Sequence, residues 1–144
     1  MITQIRHTGI VVEDLDIALE FYRDVLGFKV KKSMNESGSF IETILGLKGV
    51  EVTTVKMSSP DGNLIELLRY KTHKVDGEKS ERKIFDLGIS HIALTVDNLE
   101  SDYKRIKLAG ARFFSIPKTN LEGTAKVAFC EDPCGNILEL VQSL

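Results

Sequence analysis

The chain has no tryptophan, three prolines, three histidines and two cysteines among 144 residues. Two cysteines cannot build a disulfide framework. Cys130 and Cys134 lie close together with no second pair to complete a metal site, so they read as incidental thiols of a reducing cytoplasm. No apolar run reaches the roughly 20 residues of a membrane helix. The opening MITQIRHTGI lacks a basic stretch followed by a long apolar one, so no signal peptide is expected. The formal net charge is only -2, and nucleic acids or anionic membranes usually ask for a strongly basic face. The densest basic cluster, Lys29, Lys31 and Lys32, is short and reads as a solvated strand face. These absences predict a cytoplasmic protein without a nucleic-acid or membrane partner.

What is present is ordinary globular material, 42% hydrophobic and 28% charged. A chain of this length buries a core without disulfide or metal staples, so a metal here would serve function more than folding.

The chain also repeats itself. From His7 it reads H-T-G-I-V-V-E-D-L, and from His91 it reads H-I-A-L-T-V-D-N-L. Each run enters a helical pattern: Leu15, Ala18, Tyr22, Val25 and Leu26, closed by Gly27; then Leu99, Tyr103 and Ile106, closed by Gly110. Asp14 and Asn98 stand where N-caps belong. Each half then ends alike, in S-P-D-G-N-L-I-E-L-L and D-P-C-G-N-I-L-E-L-V, a turn followed by an apolar strand. The first half adds an apolar patch, Phe40, Ile41, Ile44 and Leu45, which predicts a short helix ending near Gly46. Residues 71–88 are polar and weakly periodic, and read as a linker between modules 1–70 and 89–144. His73 lies in that linker and reads as an exposed surface residue.

Alternation along strands sorts the remaining histidines. His7 shares a face with Gly9 and Val11, and His91 with Ala93 and Thr95, while bulky aliphatics fill the opposite faces. This predicts a concave face backed by a helix-packed core. Glu66 lies between Leu64 and Leu68 on its own face, and Glu139 between Ile137 and Val141. A carboxylate among apolar neighbours is costly without a partner. Two imidazoles and two carboxylates in matched places suit a divalent transition metal with sites left for water or substrate. On the middle strands, Thr54, Lys56, Lys126 and Ala128 are pocket candidates that parity alone does not sort.

These segments, with H-T-G-I-V-V-E-D-L-D-I-A-L-E-F-Y-R-D-V-L-G-F at their head, resemble the vicinal oxygen chelate superfamily. Its members include glyoxalase I, methylmalonyl-CoA epimerase, extradiol dioxygenases, and the fosfomycin and bleomycin resistance proteins. The resemblance implies an α+β fold of two tandem βαβββ modules, whose curled sheets form a cup around a metal. It implies that His7, Glu66, His91 and Glu139 hold one divalent ion, with Ni²⁺, Co²⁺, Mn²⁺ or Zn²⁺ as candidates. It further implies glyoxalase-type lyase or isomerase chemistry through a metal-stabilised enediolate, with Glu139 as the first candidate base and Glu66 the second. A homodimer with a small-molecule carbonyl substrate belongs to the same expectation. Glutathione-using glyoxalase I enzymes carry an Arg four residues after the first histidine, where this chain has Val11. The same superfamily offers three alternatives. One is an acyl-CoA epimerase. A second is an Fe²⁺ extradiol dioxygenase using His7, His91 and Glu139. The third is a metal-free resistance protein that sequesters its ligand.

Overall fold

The computed structural model describes residues 1–74 and 83–144. Residues 75–82, in the middle of the segment read as a linker, lie outside the described residues. The chain divides into two compact units, Met1–Asp76 and Gly77–Leu144.

The first unit runs β1 (Thr8–Val11), α1 (Leu15–Leu19), β2 (Lys29–Ser37), α2 (Ser39–Leu45), β3 (Glu51–Ser58) and β4 (Leu64–Tyr70). Its sheet order is β1-β4-β3-β2, with β1 parallel to β4 and the other pairs antiparallel. One face carries the core. Ile10, Val55, Met57, Ile65 and Leu67 are buried there, and α1 packs on β4. The Asp14 carboxylate starts α1 by accepting from the backbone N–H of Asp16 (2.9 Å) and Ile17 (3.0 Å).

The periodicity predicted one helix from Leu15 to Gly27. Instead α1 passes into a π-helical stretch, Glu20–Val25, after which the Leu26 N–H donates to Phe21 O at 2.8 Å. The adjacent Phe21 and Tyr22 are both buried and meet edge to face at 5.3 Å. An α-turn rotates consecutive side chains by roughly 100°. The wider π-turn rotates them less, which lets both rings lie on the buried side. The short helix ending near Gly46 is present as α2, and Gly46 closes it in the left-handed region.

The second unit runs β5 (Ile92–Thr95), α3 (Leu99–Leu108), β6 (Arg112–Phe113), β7 (Lys118–Thr119), β8 (Ala125–Glu131) and β9 (Ile137–Ser143). The sheet order is β5-β9-β8-β6, with β7 also paired to β8. Asn98 caps α3 by accepting from Ser101 N at 3.0 Å. Leu99 and Ile106 of α3 are buried, as are Ala128, Cys130, Leu138 and Leu140 of the sheet. β6 and β7 together take the place that β2 holds in the first unit. Pro117 stands between them; it has no N–H for the ladder, so the strand breaks there.

Both repeats close their last hairpin with the same turn. Ser59 N bonds Asn63 O (3.0 Å) and Gly62 N bonds Ser59 O (3.0 Å). Asp132 N bonds Asn136 O (2.9 Å) and Gly135 N bonds Asp132 O (3.0 Å). Gly62 and Gly135 have φ of 89° and 84°, a region that disfavours any side chain.

Candidate functional site

Each unit brings one histidine to one glutamate. In the first, parallel pairing of β1 with β4 sets Gly9 opposite Glu66. His7, one residue before β1 and on the Gly9 face, then reaches the carboxylate, with Nε2 at 3.2 Å from Glu66 Oε2. In the second, Ala93 stands opposite Glu139. His91, one residue before β5, places Nε2 at 3.3 Å from Glu139 Oε2. The four residues singled out from sequence thus fall into two contacting pairs, formed by the same strand geometry twice. Thr54 and Lys56 share the Glu66 face, since they pair with Leu68 and Glu66 across the hairpin.

The donor set fits a divalent ion. Two donors about 2.1 Å from a shared ion, at angles between about 90° and 110°, stand roughly 3.0–3.4 Å apart. Both His–Glu separations fall in that range. His7 Nδ1 is buried and has no hydrogen-bond partner among the described residues, whereas His91 Nδ1 is 3.0 Å from Ser90 Oγ. The ring of His91 thus has a partner that orients it, while packing must orient that of His7. Among the described residues, no three His, Cys, Asp or Glu side chains gather as an ion site; each unit presents a pair.

The surroundings of the two pairs differ. Lys56 Nζ lies 3.4 Å from Glu66 Oε1. The corresponding cross-strand neighbour of Glu139 is Phe129, which meets the His91 ring edge to face at 5.2 Å and stacks with Phe114 at 6.5 Å. Arg112 grips Glu131 (2.5 and 3.0 Å) and lies over the Phe114 ring at 5.7 Å. The Glu139 face is thus lined by aromatics, and the Glu66 face by a cation.

The other candidates fall elsewhere. Ala128 is buried on the opposite face of β8, and Lys126 pairs with Glu100 at 3.0 Å, so neither belongs with Glu139. His73 is half-buried rather than exposed, and its Nδ1 lies 3.0 Å from Thr72 Oγ1. Cys130 is fully buried; burial first, then the charges of Asp132 and Glu131, push its thiol up to about 12. Such a thiol is inert at neutral pH. Phe129 and the Lys56 contact were not singled out from sequence. Both stand at the same distance before the strand glutamate of their repeat, and counting back across the matched turns would have found them.

The family model described as Glyoxalase/Bleomycin resistance protein/Dioxygenase superfamily matches residues 4–140. A probable lactoylglutathione lyase of a Synechocystis species is 35% identical over 140 residues, covering 95% of this chain and 93% of its own length. An uncharacterised protein of Bacillus subtilis is 33% identical over 135 residues, with 94% and 95% covered. The crystal structure of a glyoxalase family protein from Bacillus cereus superposes with a TM-score of 0.90 at 23% identity, over 100% of this chain and 96% of that one. That likeness shows the α+β fold. No helix among the described residues is long and apolar enough to cross a membrane.

Proposed function

Because the chain belongs to the glyoxalase/bleomycin resistance protein/dioxygenase superfamily, we propose that it is a glyoxalase I-like lyase or isomerase of a small carbonyl substrate. In this reading His7, Glu66, His91 and Glu139 are the ligands of one divalent ion, and the protein is a cytoplasmic homodimer. The observation that carries the reading is the repeated pair: an imidazole Nε2 beside a glutamate oxygen at 3.2 and 3.3 Å, at matched places in two repeats. A relative named as a probable lactoylglutathione lyase supports the reaction class.

When bound, a divalent ion supplies Lewis-acid polarisation of substrate oxygens. The work of the chain is then proton transfer. Glu139 takes the proton from the carbon beside the carbonyl and returns it to the neighbouring carbon. Phe129 and Phe114 give this carboxylate a dry flank on which an apolar part of the substrate can lie. Val11, exposed on the His7 face, offers no charge where an Arg would take a glutathione carboxylate. The substrate in this reading is therefore an adduct of a different thiol, or another small carbonyl compound.

The test is a turnover screen. Protein loaded with Ni²⁺, Co²⁺, Mn²⁺ or Zn²⁺ is offered methylglyoxal together with each of a panel of small thiols, and formation of the thioester is followed by its absorbance. Turnover with a thiol other than glutathione is the expected result. No turnover of methylglyoxal with any metal and thiol would contradict the thiol-adduct form of the reading.

A further inference from the structure

Glu66 and Glu139 hold equivalent places in the two repeats, yet among the described residues only Glu66 is gripped from both sides. His7 Nε2 meets Glu66 Oε2, and Lys56 Nζ meets the other oxygen, Oε1, at 3.4 Å. Across the hairpin from Glu139 stands Phe129, whose ring carries no hydrogen-bonding group. The exposures follow: the Glu66 side chain is 12% exposed and that of Glu139 is 23%.

Lys56 is unusual for a lysine. It lies on β3, an inner strand flanked by β2 and β4, and its side chain is only 30% exposed. Holding an ammonium there costs desolvation that a surface position avoids. Its ion-pair partner is Glu66, directly opposite in register. Lys32, its neighbour on the other side, is a like charge, so it adds repulsion and no pairing. The placement makes sense if the pair has a task.

We propose that Lys56 is a positioning residue. It holds Oε1 of Glu66 so that Oε2 stays beside His7 Nε2. It thereby makes Glu66 the fixed carboxylate, while Glu139, whose second oxygen meets no cation among the described residues, is the one that can move. This rests on the ligand assignment made above. Partners that hold a ligating side chain are typically worth about 10–100-fold in metal affinity. A bare ammonium acts in the opposite direction, because a positive charge near the site repels a cation. The two effects differ in sign, so the sign of the change on removing Lys56 tells which one it exerts.

The experiment is a Zn²⁺ titration of the whole chain against a chromophoric chelator, with thermal unfolding as a check on folding. Lys56→Met should weaken Zn²⁺ binding about 10–100-fold. Lys56→Arg, which keeps the charge and the donor, should restore it to within a few-fold. Lys56→Met should cost nothing more in a Glu66→Gln background, because Lys56 works only through that carboxylate. In a Glu139→Gln background its cost should persist in full. Equal or tighter binding by Lys56→Met would overturn the proposal, as would a loss undiminished in the Glu66→Gln background. Wild type that binds Zn²⁺ alongside an insensitive Lys56→Met variant defeats the role of Lys56 alone. Wild type that binds no Zn²⁺ defeats the ligand assignment and this inference together.

Discussion

At the scale of single residues, the two glutamates separate by what surrounds them. Glu139 meets His91 through Oε2 and has Phe129 across the hairpin, and in the proposed reading it is the carboxylate that carries the proton. Glu139→Gln keeps an oxygen donor but loses the proton acceptor. With a substrate found by the thiol screen, its rate should fall by about 10²–10⁴-fold while Zn²⁺ affinity changes far less. Glu66→Gln should do the reverse, with affinity falling more than rate; equal rate losses from both variants would show that the carboxylates share the proton transfer. His7, Glu66, His91 and Glu139 were legible in sequence because strand parity and the repeat placed them without any three-dimensional information. Lys56 was a pocket candidate whose contact with Glu66 was not foreseen, and Phe129 was not singled out. Parity assigns a face to a strand residue only once the pairing register is known, and that register is set by hairpin turns whose geometry the sequence only suggests.

At the scale of elements, the repeat supplies its own controls. The turns at Gly62 and Gly135 share one hydrogen-bond pattern and one left-handed backbone. A Cβ at Gly62 would meet nothing within 4 Å, so the cost of Gly62→Ala is backbone strain alone. It should destabilise the fold by about 1–2 kcal/mol, measured by urea unfolding. Gly9 differs. Its Cβ would come within 3.2 Å of Leu68 Cδ1, the far end of a flexible side chain, and Ala93 already occupies the matching place in the second repeat. Gly9→Ala should therefore cost well under the Gly62→Ala value. A larger loss for Gly9→Ala would mean that the first repeat needs a close backbone approach there that the second does not. Helix starts, the end of α2 and the two turns were readable from sequence, because caps and left-handed glycines act locally. The π-helical stretch and the split of β6 from β7 were not. The first depends on burying the adjacent Phe21 and Tyr22 together. The second depends on Pro117 lying in a strand whose existence only the pairing with β8 reveals.

At the scale of the whole molecule, the fold is one plan used twice. Each βαβββ unit has its own core and sets a histidine Nε2 from before its first strand beside a glutamate oxygen on its last. Among the described residues each unit presents one such pair, and no group of three gathers. The central claim is that the two pairs serve a single ion. Native mass spectrometry of protein saturated with Zn²⁺ and then desalted tests it most directly, because it weighs the assembly and counts its ions together. The account predicts a dimer carrying one Zn²⁺ per chain, with His7→Ala and His91→Ala each abolishing that ion. Two ions per chain, an ion that survives either histidine substitution, or no bound Zn²⁺ at all would contradict it.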